Sequence, residues 1–163
     1  MNIRRANPTD AAQLLEIYRP IVENTAASFE LTPPDEGEFA ARIASSIASH
    51  DWIVMEHENG LCGYAYATPH RSREAYKHSV ETSVYVDSAH QGQGVGKSLY
   101  EALFSSPKSL GYRAAFTGIT LPNAASVALH KSCGFEHIGV FREVGYKHGE
   151  WHDVSWWQRI INS

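Results

Sequence analysis

Cysteine is scarce in this chain: of its 163 residues only two, Cys62 and Cys133, are cysteine. One pair makes no disulfide framework, and a domain of this length buries roughly 70% of its unfolded surface, so it needs no covalent staple. Both cysteines read as buried, free, small apolar residues. Long apolar runs are also missing. Nothing approaches the ~18 uninterrupted apolar residues of a membrane span, and the opening MNIRRANPTD has no apolar stretch of the kind a secretory leader carries. The expectation is a cytoplasmic protein with no membrane partner. Runs of lysine or arginine are absent too, and the formal net charge is −4. That balance argues against nucleic acid as a partner. With no repeat, low-complexity segment or linker, the chain is expected to form a single domain over residues 1–163.

What is present is an ordinary globular composition, 43% hydrophobic and 20% charged. NIRRA has the length of a first strand. The following NPTDAAQLLEIYRPIVENTA has helical spacing at Leu14, Ile17, Ile21 and Val22, with Asn7 as cap, Pro8 at the first position and Asp10 at the positive end. Pro20 lacks the N–H its turn would use, so it is expected to kink or divide that helix. A second helix is expected over Glu36 to Ser49. The period then changes: WIVMEHENGLCGYAYATP reads as two strands joined at ENG, and HSVETSVYVD as another. An amphipathic helix follows in GVGKSLYEALF and ends near Pro107 to Gly111. A strand in RAAFTGIT, a short helix stopped by Gly134, and two closing strands around KHGEWH complete the order. The fold class is therefore mixed α/β in one domain.

The stretch HQGQGVGKSLY, His90 to Tyr100, couples a glycine-rich loop to a helix start, an arrangement suited to phosphate. A nucleoside-triphosphate loop ending in Gly96-Lys97-Ser98 needs a glycine at position 91, where Gln91 stands. No later apolar strand ends in an aspartate for magnesium, because AAFTGIT runs into Leu121 and Pro122. The dinucleotide pattern fails as well, since the sixth residue from Gly92 is Lys97. What fits is Gln-x-x-Gly-x-Gly, Gln91 through Gly96, after the strand SVYV. Glycines there let the backbone approach a diphosphate, and first-turn amides can bind it. A glycine-rich turn without a ligand is the alternative.

This loop resembles the acetyl-CoA pyrophosphate loop of the GNAT superfamily of N-acetyltransferases. LPNAASVALHKSCGF resembles that superfamily's asparagine-headed helix. HRSREAYKHSVETSVYVDSAHQGQGVGKSLY and GYKHGEWHDVSWWQ are similar to the branch that acetylates phosphinothricin, methionine sulfoximine or methionine sulfone. The resemblance spans nearly the whole chain. It implies the GNAT acyl-CoA N-acyltransferase fold, a twisted mixed sheet flanked by helices. It also implies acetyl-CoA as cosubstrate, an amino-acid analogue as acceptor by direct attack in a ternary complex, and a homodimer.

The resemblance also implies site residues. An α-amine, with a reference pKa near 8, is mostly protonated at neutral pH and needs a base before it attacks a thioester. Glu81 matches the family's catalytic glutamate. His130 matches a second catalytic position, as acceptor of the amine's proton or donor to the leaving thiolate. The amides near Val84, Tyr85 and Val86 are implied as oxyanion donors beside the pantetheine arm. For the diphosphate the implied holders are Gln91, Gly92, Gln93, Gly94, Val95, Gly96 and Lys97, with Asn123 meeting the CoA arm or only capping its helix. For the amino acid they are Phe29, Arg71, Ser72, Arg73, Tyr76, Glu81, Thr82 and Ser83; arginine guanidinium groups suit carboxylate and phosphinyl oxygens. Lys147, Trp151 and His152 are expected to support the pocket or a dimer. His148 and His152 are four apart with Glu150 between them, but the order is not His-Glu-x-x-His and the segment reads as a strand turn, so no catalytic metal is expected.

Overall fold

The computed structural model describes residues 1–162. Seven strands form one mixed sheet: β1 (Asn2–Arg5), β2 (Trp52–His57), β3 (Gly60–Pro69), β4 (Ser79–Val86), β5 (Ala114–Thr120), β6 (Glu136–Lys147) and β7 (Glu150–Ile160). Their order is β1-β2-β3-β4-β5-β7-β6. Only β4 and β5 run parallel, joined by a crossover; every other neighbouring pair is antiparallel.

Four α-helices cover the sheet: α1 (Ala11–Asn24), α2 (Glu36–Ser49), α3 (Val95–Phe104) and α4 (Ala124–Ser132). Alternation along the strands builds two cores. On one face Trp52, Val54 and Tyr64 pack with Leu14, Leu15, Tyr18 and Val22 of α1 and Phe39 and Ile43 of α2. On the other, Ile53, Ala65, Ala67, Val80 and Ala115 pack with Leu99, Tyr100 and Leu103 of α3. Leu14, Ile43, Leu99 and Leu103 are wholly buried, each contributing about 1.5–3 kcal/mol.

Local chemistry sets the boundaries. Asn7 and Asp10 cap one another around a 3-10 turn, Pro8–Asp10, and α1 follows directly. The helix is not divided at Pro20 but runs unbroken to Asn24, which corrects that part of the sequence-based expectation. The carbonyl that Pro20 leaves without a partner belongs to Glu16, and both residues are exposed, so water can serve it. The β6–β7 turn places His148 at φ 53° and Gly149 at φ 77°, the left-handed pair that a two-residue hairpin requires.

Candidate active site

The crossover strand β4 organises the site. It pairs with β5 only over Ser79–Glu81, opposite Ala114–Phe116, while its pairing with β3 continues to Val86. Beyond Glu81 the two parallel strands part. The bond from Asp87 N–H to the Cys62 carbonyl, 2.9 Å, fixes the ladder's parity: odd-numbered residues of β4 turn their backbone groups toward β3. Even-numbered residues turn theirs toward the fork. The Thr82 carbonyl is taken by Thr117 Oγ1 at 3.2 Å and the Val86 carbonyl by Gln91 Nε2 at 3.3 Å. The Val84 and Val86 amides open onto the widening gap, where an extended arm could continue the ladder.

The glycine loop begins where the fork is widest. His90 is tied to Asp87 by its ring Nδ1, 2.7 Å, and its backbone N–H, 3.0 Å, both to Oδ1, and Gln93 donates to the Ala89 carbonyl at 3.0 Å. Gly92 at φ 74° and Gly94 at φ 80° adopt the left-handed backbone that glycine alone takes freely, and a Cβ on either would meet nothing within 4 Å. Gly92 and Gly94 therefore serve backbone shape and an open surface, not close packing.

A second contrast concerns helix capping. The 3-10 turn, α2 and α4 start with side-chain caps from Asn7, Asp35 and Asn123, whereas α3 starts at Gly94 with none. Among the described residues its first-turn amides at Val95, Gly96 and Lys97 have no side-chain partner, leaving the positive helix end for an anion. Gly96 also lets α4 come close, since a Cβ there would lie 2.9 Å from Leu129. An uncapped helix start, an open glycine loop and a parted strand pair fit the diphosphate and pantetheine of acetyl-CoA.

Glu81 lies at the apex of the fork. Alternation puts it on the α1/α2 face with Ser83 and Tyr85, directly across from Thr68 on β3. Its side chain is 36% exposed, and Oε2 sits 2.9 Å from Nδ1 of His70. On this face a cleft of about 580 Å³ runs between α2 and the sheet, lined by Tyr18, Arg42, Ser46, Tyr66 and Thr68 among others. Arg42 is bound to Glu30 and to Glu38, the latter at 3.0 Å, so its charge is already matched. Arg71 and Arg73 form no ion pair among the described residues; Arg71 lies 5.8 Å from the Tyr76 ring centre. Ser72, Arg73 and Tyr76 are exposed on the loop that carries them.

Phe29 stands on a different segment. Its ring fills the place a Gly145 side chain would occupy. Lys147, only 2% exposed, holds this segment by donating to the Val22 carbonyl at 2.6 Å and the Ser28 carbonyl at 2.8 Å. Burial pushes its ammonium pKa down, against the attraction of Glu30. His152 donates through Nε2 to the Lys147 carbonyl at 3.1 Å. Trp151 is 63% exposed against Tyr146, outside the cleft.

His130 does not meet Glu81. It is buried on the α3/α4 face, with Nδ1 2.7 Å from the Ser126 carbonyl and Nε2 2.8 Å from the Tyr100 hydroxyl. A carbonyl only accepts, so Nδ1 carries the proton and Nε2 accepts from Tyr100. Burial pushes His130 below the ordinary histidine range, opposed by the Ser126 bond, and pushes the Tyr100 phenol far up. The pair is a neutral imidazole and a protonated phenol. Tyr100 continues to Thr82 Oγ1 at 3.3 Å, just beyond Glu81 on β4. Asn123 caps α4 by accepting from Ser126 N–H at 3.1 Å.

Two residues of this constellation escaped the sequence. Tyr100 carries no signal that separates it from an ordinary core aromatic on α3. His70 lies in PHRSRE beside the expected arginines, and what sets it at Glu81 is its pairing with Ser79 across the β3–β4 ladder, a register that only the structure shows.

The chain is similar to known proteins along nearly its whole length. The profile of the acetyltransferase (GNAT) domain matches residues 3–156. The chain is 37% identical over 159 residues to a phosphinothricin N-acetyltransferase of Streptomyces viridochromogenes, covering 98% of this chain and 87% of that protein. It is 35% identical to an L-methionine sulfoximine/L-methionine sulfone acetyltransferase of Salmonella typhimurium, covering 97% and 93%. A crystal structure of a phosphinothricin acetyltransferase from Sinorhizobium meliloti in complex with AcCoA superposes with a TM-score of 0.93 at 37% identity, over 99% and 88% of the two chains.

Proposed function

Because this chain belongs to the GNAT acetyltransferase family, we propose that it is an enzyme transferring acetyl from acetyl-CoA to the α-amine of a small amino-acid analogue of the phosphinothricin or methionine sulfoximine class. The observation that carries this reading is Glu81 at the apex of the β4–β5 fork, on a strand followed by an uncapped helix start and preceded by Arg71 and Arg73, neither of them ion-paired among the described residues.

Acetyl-CoA supplies the acetyl group as an activated thioester. The amides of Gly92 to Lys97 hold its diphosphate, with the Lys97 ammonium as a further cation, and Asn123 flanks the arm while capping α4. The Val84 and Val86 amides, turned into the fork, continue the ladder along the arm and donate to the acyl oxygen as it gains charge. Arg71 and Arg73 hold the acceptor's carboxylate and phosphinyl or sulfoximine oxygens, with Ser72, Tyr76 and Ser83 beside them and Phe29 as an aromatic wall. Glu81 accepts a proton from the α-ammonium, which frees the nitrogen lone pair for direct attack on the thioester carbonyl; as the C–N bond forms the C–S bond breaks, CoA leaves as the thiolate, and the nitrogen's surplus proton passes to that sulfur.

His130 acts on the far side of the fork. With both ring nitrogens engaged, it holds the Tyr100 hydroxyl at Thr82 and so acts through Tyr100 rather than as the amine's proton acceptor. The β6 edge strand exposes Ile138, Val140, Phe141, Val144 and Tyr146, an apolar row suited to a second copy of this chain. The proposed state is a homodimer, for which light scattering should give twice 18.1 kDa.

The substrate class is tested by CoA release with phosphinothricin, methionine sulfoximine, methionine sulfone, simple amines and short peptides. Turnover should favour the amino-acid analogues. Preference for peptide N-termini would move the acceptor to that class, and CoA binding without turnover on the whole panel would make this a binding module.

A further inference from the structure

His70 follows the last residue of β3, and its backbone N–H donates to the Ser79 carbonyl at 3.2 Å, which sets it on the ladder beside Glu81. Its ring is fixed on both sides: stacked on Phe116 at 4.7 Å and 22°, and met by the edge of Tyr76 at 5.9 Å. Nδ1 lies 2.9 Å from Glu81 Oε2, and Arg71 Nε–H donates to Nε2 at 3.3 Å. Guanidinium nitrogens donate and never accept, so Nε2 is the bare nitrogen and Nδ1 carries the hydrogen. Only that tautomer serves both neighbours. The charged or titratable groups touching the ring are Glu81 of β4, Arg71 of the following loop and Tyr76 of the 3-10 turn; Phe116 of β5 is neutral.

We propose that His70 is the positioning residue of the base: locked as the Nδ1–H tautomer by Arg71, it binds Glu81 Oε2 and leaves Oε1 to take the amine's proton. The arginine that reads the acceptor's anionic group and the carboxylate that deprotonates its amine are thus joined through one imidazole. An anionic acceptor that orders Arg71 also orders the base, which favours amines bearing such a group over plain amines. This inference rests on the reading of Glu81 as the base.

A carboxylate held through one oxygen has its other oxygen aimed. Without the donor it rotates, and a misplacement of about 1 Å can cost on the order of 100-fold in rate. His70→Ala should lower kcat about 10- to 100-fold with little change in KM for acetyl-CoA. His70→Asn, whose side-chain N–H falls near the Nδ1 position, should recover much of the rate. A merely structural role would lower the melting temperature and raise both KM values, and His70→Asn would not restore kcat.

Glu81→Gln separates the two ideas: if it remains active, the base assignment fails; if it is inactive while His70→Ala stays within threefold of the parent, the positioning role fails. Nitrogen NMR of His70 provides a readout without turnover. It should show the Nδ1–H tautomer in the parent chain and a mixture in the Arg71→Ala/Glu81→Ala double variant, where neither neighbour selects one nitrogen. An Nε2–H tautomer in the parent would overturn the proposal.

Discussion

Replacing Tyr100 with phenylalanine removes one oxygen atom from the centre of the buried network under the β4–β5 fork. The ring keeps its packing against Phe104, Phe135 and His130, so almost no apolar contact is lost. What remains is an unpaired Nε2 on His130, which is 3% exposed, and an unpaired Thr82 hydroxyl, also 3% exposed. A buried polar atom stripped of its partner costs about 1–3 kcal/mol. Taking about 2 kcal/mol, and about 2–4 °C per kcal/mol for a chain of this size, the melting temperature should fall by roughly 4–8 °C. Urea denaturation of Tyr100→Phe, His130→Leu and the double variant completes the cycle. Removing both partners leaves fewer orphans than the single changes imply, so the double variant should cost less than the sum by about 1–2 kcal/mol. A Tyr100→Phe chain within about 0.5 kcal/mol of the parent, or costs that add, would refute the network.

The remaining predictions concern pH, the loop and the pocket wall. Burial holds His130 and His50 below the ordinary value of about 6.5, so the unfolded chain binds more protons as pH falls through that value. Stability should therefore drop between pH 7.5 and 5, less steeply in His130→Leu, and drop again below about pH 4 as Asp10, held low by Arg4, takes up a proton; urea midpoints that stay flat from pH 7.5 to 5 would contradict this. Gly94→Ala forces an alanine to φ 80° with no clash, at a cost of about 1 kcal/mol, and should raise KM for acetyl-CoA more than KM for the amine. Lys147→Met removes the donor to the Val22 and Ser28 carbonyls and should raise the amine KM by loosening the segment that carries Phe29, while acetyl-CoA affinity holds.

The legible parts of this molecule were those written in local chemistry. Period-2 alternation in GYAYAT, the His148–Gly149 turn and the Asn7–Asp10 cap each concern neighbours in sequence, and each stands in the fold where expected. Pro20 was misjudged because its effect depends on whether the orphaned carbonyl faces water, a tertiary property. The fork at Glu81 depends on where β5 stops pairing with β4, which no residue of either strand announces. The His130–Tyr100 bond spans thirty positions and joins two helices, so the histidine's partners were invisible until the helices were packed. His70 was overlooked for the opposite reason: it stood next to more conspicuous arginines.

The central claim is that a carboxylate at the fork deprotonates an amino-acid amine. Its most direct test is the rate of CoA release by the parent chain and by Glu81→Gln, with methionine sulfoximine as acceptor and saturating acetyl-CoA. The claim predicts a fall of about 100- to 10,000-fold with an unchanged melting temperature and acetyl-CoA affinity. A variant within threefold of the parent would contradict it.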